Sequence, residues 1–177
     1  GDETLLLVRI WGSSPKSIWS IASSSWSATT VWYYNGSAWR CDSIPRGIFP
    51  TALFGFSEND VWIGSSTSKI WRYFGTTWSV FSEHKIDGYD VTILNNFDGL
   101  TPKDLYAVGF ADNYRSEKAK GVILHFNGGE WNNVGIPEKK MSFESVAVDK
   151  NKTLVMSVTE IKNNMFYASL YTWDGRE

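Results

Sequence analysis

The sequence predicts an all-β fold, a β-propeller made of four-stranded antiparallel blades. Two short patterns recur in the same order along the 177 residues, and no window shows a helical period with caps. The first pattern is an aromatic residue, Asn or Asp, Gly, two further residues and Trp. The second begins at Gly, passes through Ser or Thr, and reaches Trp or Tyr. Units of this length with four short strands each are typical of propeller blades.

The first pattern occurs around Gly36, Gly75, Gly128 and Gly175, which lie 39, 53 and 47 residues apart. Asn-Gly or Asp-Gly between runs of β-type residues is the strongest short signal for a hairpin. It predicts a two-residue type I′ turn, because that turn needs a positive φ at both positions and Asn, Asp and Gly tolerate it. Each copy therefore predicts a hairpin that joins a third strand, c, to a fourth strand, d.

The second pattern spans Gly12–Trp19, Gly55–Trp62 and Gly99–Tyr106. Its small hydroxyl and Asx side chains predict a tight turn between a first strand, a, and a second strand, b, because such side chains bond to nearby backbone groups. The aromatic residue at its end then lies on strand b. In the fourth copy only the strand remains, at Thr153–Val158.

Six aromatic residues hold repeated positions, and we interpret them as structural. They are Trp19, Trp62 and Tyr106 on strand b, and Trp39, Trp78 and Trp131 on strand d. A single blade cannot bury both of its faces, so neighbouring blades must stack and large flat side chains must fill the wedge between them. We therefore expect all six side chains to be buried.

The repeats predict a single propeller domain, or part of a larger propeller, with blades at about residues 4–46, 47–89, 90–140 and 141–177. The fourth blade is expected to lack its outer strand. A closed ring usually ties its first and last blades together in one sheet, which leaves no strand edge bare. Three arrangements stay open: four blades of a larger ring, which we favour, a self-contained ring of four blades, and completion by a second copy. Further blades would come from the same or another chain.

These residues resemble the Trp-rich propeller repeats of bacterial secreted and envelope proteins, which run Gly-x-Ser-x-x-Asp-Val-Trp-x-x-Gly and then an aromatic residue, Asp or Asn, Gly, two residues and Trp. The stretch from Asn59 through Gly64 to Trp78 is also similar to the repeats called two-component regulator propellers. The resemblance covers nearly the whole chain. It implies the fold and not an activity, because such propellers serve as sensors, adhesins, lectins and scaffolds. The adjacent Asn or Asp and Gly differ from the Asp-box of sialidases, which argues against a glycosidase site.

Composition excludes several classes of function. With 17 Lys and Arg against 19 Asp and Glu, the formal net charge of −2 gives no basic footprint for nucleic acid. The single cysteine, Cys41, excludes an internal disulfide and a cysteine-rich zinc site, and we expect its side chain to be at least half-buried. No apolar run in this segment approaches the roughly 20 residues that a membrane span needs.

No set of residues predicts catalysis, a metal or a cofactor. The two histidines, His84 and His125, have no acidic partner at ligand spacing, and His125 is interpreted as a structural substitute on strand c. A serine nucleophile elbow, a phosphate-binding glycine loop and an EF-hand calcium loop are all missing from the sequence. Most acids fall in turns that the repeat explains, and Asp87 and Asp90 are interpreted as a solvated turn.

Because consecutive strands alternate in direction, the b–c loops and the d–a links share one face of the propeller. The long, irregular connections are the b–c loops near residues 23–28, 111–120 and 159–164, and the d–a links near 41–50, 82–89 and 135–142. Function concentrates in variable loops on a rigid scaffold. We therefore predict ligand contacts from Trp26, which lies among serines, and from Tyr114 and Arg115 in a polar insertion.

The sequence thus predicts a non-enzymatic binding or scaffolding propeller at an extracellular, periplasmic or cell-surface site, which recognises a protein or a glycan through this loop face. Two alternatives stay open. One is an enzyme that acts on a polysaccharide, with two carboxylates converging in the central channel. The other is the sensor segment of a membrane receptor.

Overall fold

The computed structural model describes residues 5–24, 30–42, 48–114, 119–135, 140–162 and 165–175, without the side chains of 5–8, 23 and 24. In this part of the chain every regular element is a β-strand, which confirms the all-β prediction. None of the described residues forms a helix that could cross a membrane. The chain divides into two compact units, Gly1–Glu83 and His84–Glu177.

The described strands form three four-stranded sheets and one three-stranded sheet, each antiparallel and each in chain order. The first sheet consists of β1 (Leu5–Ser14), β2 (Ser17–Ser24), β3 (Thr30–Tyr34) and β4 (Trp39–Asp42). The second consists of β5 (Pro50–Ser57), β6 (Asp60–Ser65), β7 (Lys69–Tyr73) and β8 (Trp78–Glu83). The third consists of β9 (Val91–Thr101), β10 (Asp104–Asp112), β11 (Ala119–Phe126) and β12 (Trp131–Asn133). The fourth consists of β13 (Met141–Val148), β14 (Leu154–Lys162) and β15 (Met165–Trp173), which are its strands a, b and c.

The a–b turns of the first three sheets are closed by a hydroxyl group, as the second pattern predicts. The residue that ends strand a accepts a hydrogen bond from the backbone N–H two residues later. These bonds are 3.2–3.3 Å long and join Lys16 to Ser14, Asn59 to Ser57, and Lys103 to Thr101. In the fourth sheet Asp149 replaces the hydroxyl, and its Oδ1 accepts from the N–H groups of Asn151 and Thr153 at 2.8 Å.

The c–d hairpins differ from the predicted two-residue turn. Tyr34 pairs directly with Trp39, so four residues make the loop, and Gly36 rather than Asn35 takes the positive φ. Asn35 caps the loop instead, because its Oδ1 accepts from the backbone N–H groups two and three residues later, both at 3.0 Å. Asn127 makes the same two bonds in the third sheet. The type I′ prediction was therefore wrong, since the side-chain acceptor of Asn stabilises a wider loop.

Every strand a carries a one-residue bulge opposite strand b. In the first half of each strand a the extra residue is Val8, Thr51, Asn95 or Glu144, and the first three sheets have a second bulge at Ser13, Phe56 and Leu100. A bulge leaves one residue unpaired and turns it away from the sheet. In the third sheet Asn95 reaches the neighbouring strand a in this way, because its Nδ2 donates to the backbone oxygen of Phe143 at 2.9 Å.

In the first unit the seam between the two sheets is built on Trp19. Its side chain is 1% exposed, and its ring centroid lies 4.6 Å from that of Tyr33 in its own sheet. It also lies 4.8 Å from Tyr73 and 5.5 Å from Trp78, which belong to the second sheet. Trp78 Nε1 donates to Asp42 Oδ2 at 3.1 Å, which ties its strand d to the strand d before it. Tilted and edge-to-face rings of this kind stabilise a core beyond the area they bury.

In the second unit the seam between the third and fourth sheets is apolar inside and polar at the inner strands. Its buried residues are Tyr106, Val108, Ile123, Met141, Phe143, Val146, Leu154, Met156 and Val158. Between the two inner strands, Asn96 Oδ1 accepts from Val146 N at 3.3 Å and Asp98 Oδ2 accepts from Val148 N at 2.7 Å. Side chains of β9 thus accept hydrogen bonds from backbone N–H groups on the unpaired edge of β13.

A glycine makes room for an aromatic ring in both seams. A Cβ atom at Gly55 would lie 2.7 Å from the ring of Trp11, and one at Gly121 would lie 2.6 Å from the ring of Phe143. Real Cβ atoms do not approach other heavy atoms this closely, so any larger residue would push the sheets apart. The distance between neighbouring sheets therefore depends on these two glycines, which let backbone and ring approach each other closely.

Five of the six repeated aromatics are buried: Trp19, Trp62, Tyr106, Trp78 and Trp131. Trp39 is 46% exposed, which contradicts the expected burial. In the first unit the Trp that begins strand d packs towards the preceding sheet, as Trp78 does against Trp19. Trp39 rests against Tyr34 of its own sheet, 5.4 Å away, and nearly half of the residue is exposed.

Two smaller expectations are also corrected. Cys41 is exposed rather than half-buried, because it lies on the outermost strand of the first sheet. The long b–c loop expected near residues 159–164 is mostly strand. β14 continues to Lys162, and β15 begins at Met165 directly opposite it.

We expect Trp19→Ala to lower the free energy of unfolding by about 3–5 kcal/mol, because it empties the aromatic seam of the first unit. Trp39→Ala, the same substitution in the same sheet, should cost about 1 kcal/mol or less. Urea unfolding followed by far-ultraviolet circular dichroism measures both. Equal losses in the two variants would contradict the assignment of Trp19 to the seam.

Candidate functional site

The loop face of the third sheet brings two connections together. Strand b ends at Asp112 and strand a begins at Val91, so the b–c loop and the link before strand a meet at one edge. Asp90 N donates to the backbone oxygen of Asp112 at 2.9 Å. Asn113 Nδ2 donates to the backbone oxygen of Gly88 at 3.4 Å. These bonds tie the two loops to each other.

Tyr114 lies on this tied loop. Its backbone N–H donates to Asp90 Oδ2 at 3.0 Å, while its side chain is 72% exposed. A large aromatic side chain on a backbone that is already fixed loses little conformational entropy on binding. Exposed residues of this type are frequent anchors of protein interfaces.

The structure therefore describes one of the three predicted ligand contacts, Tyr114. Trp26 and Arg115 lie outside the described residues. Asp90 is exposed, and its carboxylate accepts a hydrogen bond from the backbone of Tyr114, 24 residues further along the chain, which the interpretation as a solvated turn did not include. No local pattern could have revealed this pairing, since it depends on which loops share an edge.

A second set of polar residues recurs beside the strand-b aromatics. In each of the first three sheets, the strand-c residue opposite the aromatic bonds back to the first residue of strand b. The pairs are Tyr33 Oη to Ser17 Oγ at 3.5 Å, Arg72 Nε to Asp60 Oδ1 at 2.8 Å, and His125 Nε2 with Asp104 Oδ1 at 2.7 Å. Each strand-c group also covers its ring. The guanidinium of Arg72 lies 4.4 Å from the Trp62 centroid, and His125 stacks on Tyr106 at 4.3 Å.

The Asp104 carboxylate joins the third sheet to the fourth. Its Oδ2 accepts from Lys152 Nζ at 2.7 Å, and Lys152 belongs to the a–b turn of the fourth sheet, where its φ is 66°. Burial by itself would raise the pKa of Asp104, but the hydrogen bonds and charges of Lys152 and His125 outweigh burial and hold this pKa below its ordinary value. His125 thus takes part in a structural network.

Burial lowers the pKa of His84, which favours its neutral form near pH 7. Within the described ranges, no three His, Cys, Asp or Glu side chains are grouped so that they could hold a metal ion. What the loop face presents is an exposed aromatic ring with carboxylates and amides close by, which suits recognition of a ligand.

No protein-family model matches the sequence, and no curated protein matches it either. Solved structures do match. YCF48 bound to D1 peptide shares 12% identity over 94% of this chain and 55% of its own, with a TM-score of 0.59. YCF48 from Cyanidioschyzon merolae shares 11% identity over 88% of this chain and 54% of its own, with a TM-score of 0.54.

The extracellular domain of the putative one component system BT4673 from B. thetaiotaomicron shares 12% identity over 87% of this chain and 21% of its own, with a TM-score of 0.57. The chain thus spans about half the length of the two YCF48 structures. Likeness at such identity shows the fold alone. It confirms the prediction of a β-propeller with four repeats.

We expect Asp104→Asn to lower the free energy of unfolding at pH 7 by about 1–3 kcal/mol, because it removes charged hydrogen bonds from a largely buried group. The folded pKa of Asp104 is depressed, so its contribution is complete above the ordinary value of 3.8 and is lost as the pH falls through the lower folded pKa. Urea unfolding at pH values from neutral down to strongly acid measures this. The Asn variant should lose less stability on acidification than the native chain.

Asp87→Asn provides the control, because Asp87 is an exposed aspartate of the same unit. It should leave the pH dependence of unfolding unchanged. If the native chain and Asp104→Asn had the same pH profile, the role of Asp104 in the seam would be disproved.

Proposed function

We propose that this chain is a non-enzymatic binding or scaffolding propeller that recognises a protein segment through the loop face carrying Tyr114. The observation that carries the proposal is an exposed aromatic ring on a loop held by Asp90 and Asn113. Trp26 and Arg115 are proposed to contact the same ligand. The bound peptide of one structural neighbour, YCF48 with the D1 peptide, supports a protein segment over a glycan.

We also propose an extracellular, periplasmic or cell-surface location. One structural neighbour is an extracellular domain, and the repeats resemble those of bacterial secreted and envelope proteins. The blade boundaries given by the repeats, and a larger propeller with further blades from the same or another chain, are likewise proposals. The partial coverage of the YCF48 structures supports the larger propeller.

Selection of random phage-displayed peptides on the immobilised chain tests the proposed function. For peptides that are enriched, we expect Tyr114→Ala to raise the Kd by about tenfold or more, because truncating an aromatic anchor removes a hot spot. Leu100→Ala is the matched control, since Leu100 is an exposed apolar residue at the opposite end of the same sheet. It should leave the Kd unchanged. Trp26→Ala and Arg115→Ala test the rest of the loop face in the same assay.

A glycan array with the native chain, Tyr114→Ala and Leu100→Ala separates the two kinds of ligand. Glycan binding that depends on Tyr114, without any enriched peptide, would contradict the protein partner and assign the face to a sugar. Peptides whose Kd does not respond to Tyr114→Ala would contradict the loop face. Failure to bind either class would overturn the proposed function.

A further inference from the structure

Phe49, the residue before β5, has a backbone conformation that its own side chain disfavours. Its φ is 45°, in the left-handed region that bulky residues rarely enter. Pro50 follows it, and a residue before proline favours an extended backbone with a negative φ. Two local preferences are therefore violated at one position. Strained residues persist only where the surrounding structure holds them, and they are frequent at ligand-binding sites.

The neighbours of Phe49 hold this conformation. Ile48 is 2% exposed and belongs to the apolar core of the first unit, and Pro50 is buried as well. The backbone oxygen of Phe49 accepts a hydrogen bond from Ser66 N at 3.1 Å, which ties the link before strand a to the b–c connection of the second sheet. The chain is thus fixed on both sides of Phe49 and through its own carbonyl group.

The ring of Phe49 contributes little to the folded core, because the residue is 56% exposed between two buried neighbours. Among the described residues, the others with a positive φ are Ser68, Lys152 and five glycines, none of which has an apolar side chain. Gly or Asn would fit this backbone with less strain and would expose no ring to water. The requirements of the fold therefore do not explain a Phe at this position.

The position before strand a is tied to the end of strand b in three sheets. In the second sheet it is Phe49. In the third sheet Asp90 N donates to the backbone oxygen of Asp112 at 2.9 Å, and in the fourth the backbone oxygen of Lys140 accepts from Ile161 N at 3.2 Å. The backbone is thus fixed each time, while the side chain is an aromatic, an acid or a base. Variable side chains on a fixed backbone are typical of recognition positions.

Two hydroxyl groups of the hairpin that bonds Phe49 are already engaged within it. Ser65 Oγ donates to the backbone oxygen of Lys69 at 2.8 Å and lies 2.9 Å from Thr67 Oγ1. A sugar stacked on a ring needs hydrogen-bond partners beside that ring, because unpaired polar groups are costly to bury. An apolar side chain needs only the ring. The surroundings of Phe49 therefore favour an apolar side chain over a sugar.

We infer that Phe49 is a recognition residue and that its ring receives an apolar side chain, aliphatic or aromatic, of the bound protein segment. The inference rests on the proposed function, because it requires a protein ligand, and it adds a contact on a different sheet from that of Tyr114. Burial of the ring against its partner gives the stabilisation that folding alone leaves unrealised. The strained backbone keeps the ring in place before the ligand arrives, which limits the entropy lost on binding.

Peptides enriched from a random phage-displayed library on the immobilised chain are the probe. We expect them to share an apolar residue at one position, and we expect Phe49→Asn to raise their Kd about tenfold, because an aromatic anchor is lost. Selection on the Phe49→Asn chain should no longer enrich that apolar residue. Phe74→Asn is the matched control, since Phe74 is 69% exposed and lies between strands c and d, at the opposite end of the same sheet. It should leave the Kd unchanged.

Urea unfolding separates recognition from a structural role. Asn tolerates the left-handed region, so Phe49→Asn should keep or raise the urea midpoint while it weakens binding. Phe74→Asn should not lower the midpoint either, because Asn caps the corresponding loop in the first and third sheets. A large fall in the midpoint of Phe49→Asn would show that the ring supports the fold, and it would overturn the inference.

The binding results distinguish this inference from the proposed function. A Kd that responds to Tyr114→Ala but not to Phe49→Asn would overturn the inference and leave the proposed function intact. A Kd that responds to Phe49→Asn but not to Tyr114→Ala would support Phe49 and contradict the contact at Tyr114. An equal rise for Phe49→Asn and Phe74→Asn would overturn the inference, and a library without enriched peptides would overturn the protein ligand on which both depend.

Discussion

The packing of flat rings into the wedge between twisted sheets is the interaction on which the rest of this structure depends. Sheets that twist cannot stay in contact over their whole width unless large side chains fill the widening gap. In the first unit Trp19 does this, because it contacts one ring of its own sheet and two of the next. Gly55 has no side chain in the way of Trp11, so the inner strands β1 and β5 can come close to each other.

The polar groups of the seams follow from the same arrangement. A ring buried on strand b leaves the first residue of that strand and its strand-c neighbour partly shielded from water, so they need each other as hydrogen-bond partners. Asp104 extends this pairing across the seam to Lys152, and Asn96 and Asp98 satisfy the exposed edge of the next inner strand. Apolar packing and polar contacts therefore both hold the scaffold, and the loops of the third sheet extend from it.

The repeat in the sequence was sufficient for the fold, the a–b turns and the burial of residues such as Trp62, because each depends on contacts that every copy makes. It was not sufficient for Trp39, which holds the same repeat position as Trp78 but is exposed, because burial depends on the residues that pack against a side chain and the repeat does not specify them. The candidate site could be predicted only in part. Tyr114 stood out as an aromatic residue in a polar insertion, but its link to Asp90 is formed by loops that meet only in the folded sheet.

The strand-b and strand-c pairs have a consequence for how such repeats diverge. Three chemically different pairs form the same contact between strand b and strand c: Ser17 with Tyr33, Asp60 with Arg72, and Asp104 with His125. Replacement of Arg72 by His beside Asp60 would reproduce the pair of the third sheet, whereas replacement of Asp60 by Ser would remove the carboxylate that Arg72 bonds unless strand c changed as well. Duplicated blades of this type would therefore drift by coordinated change at two positions about a dozen to twenty residues apart, and related sequences should carry that trace as covariation rather than as identity.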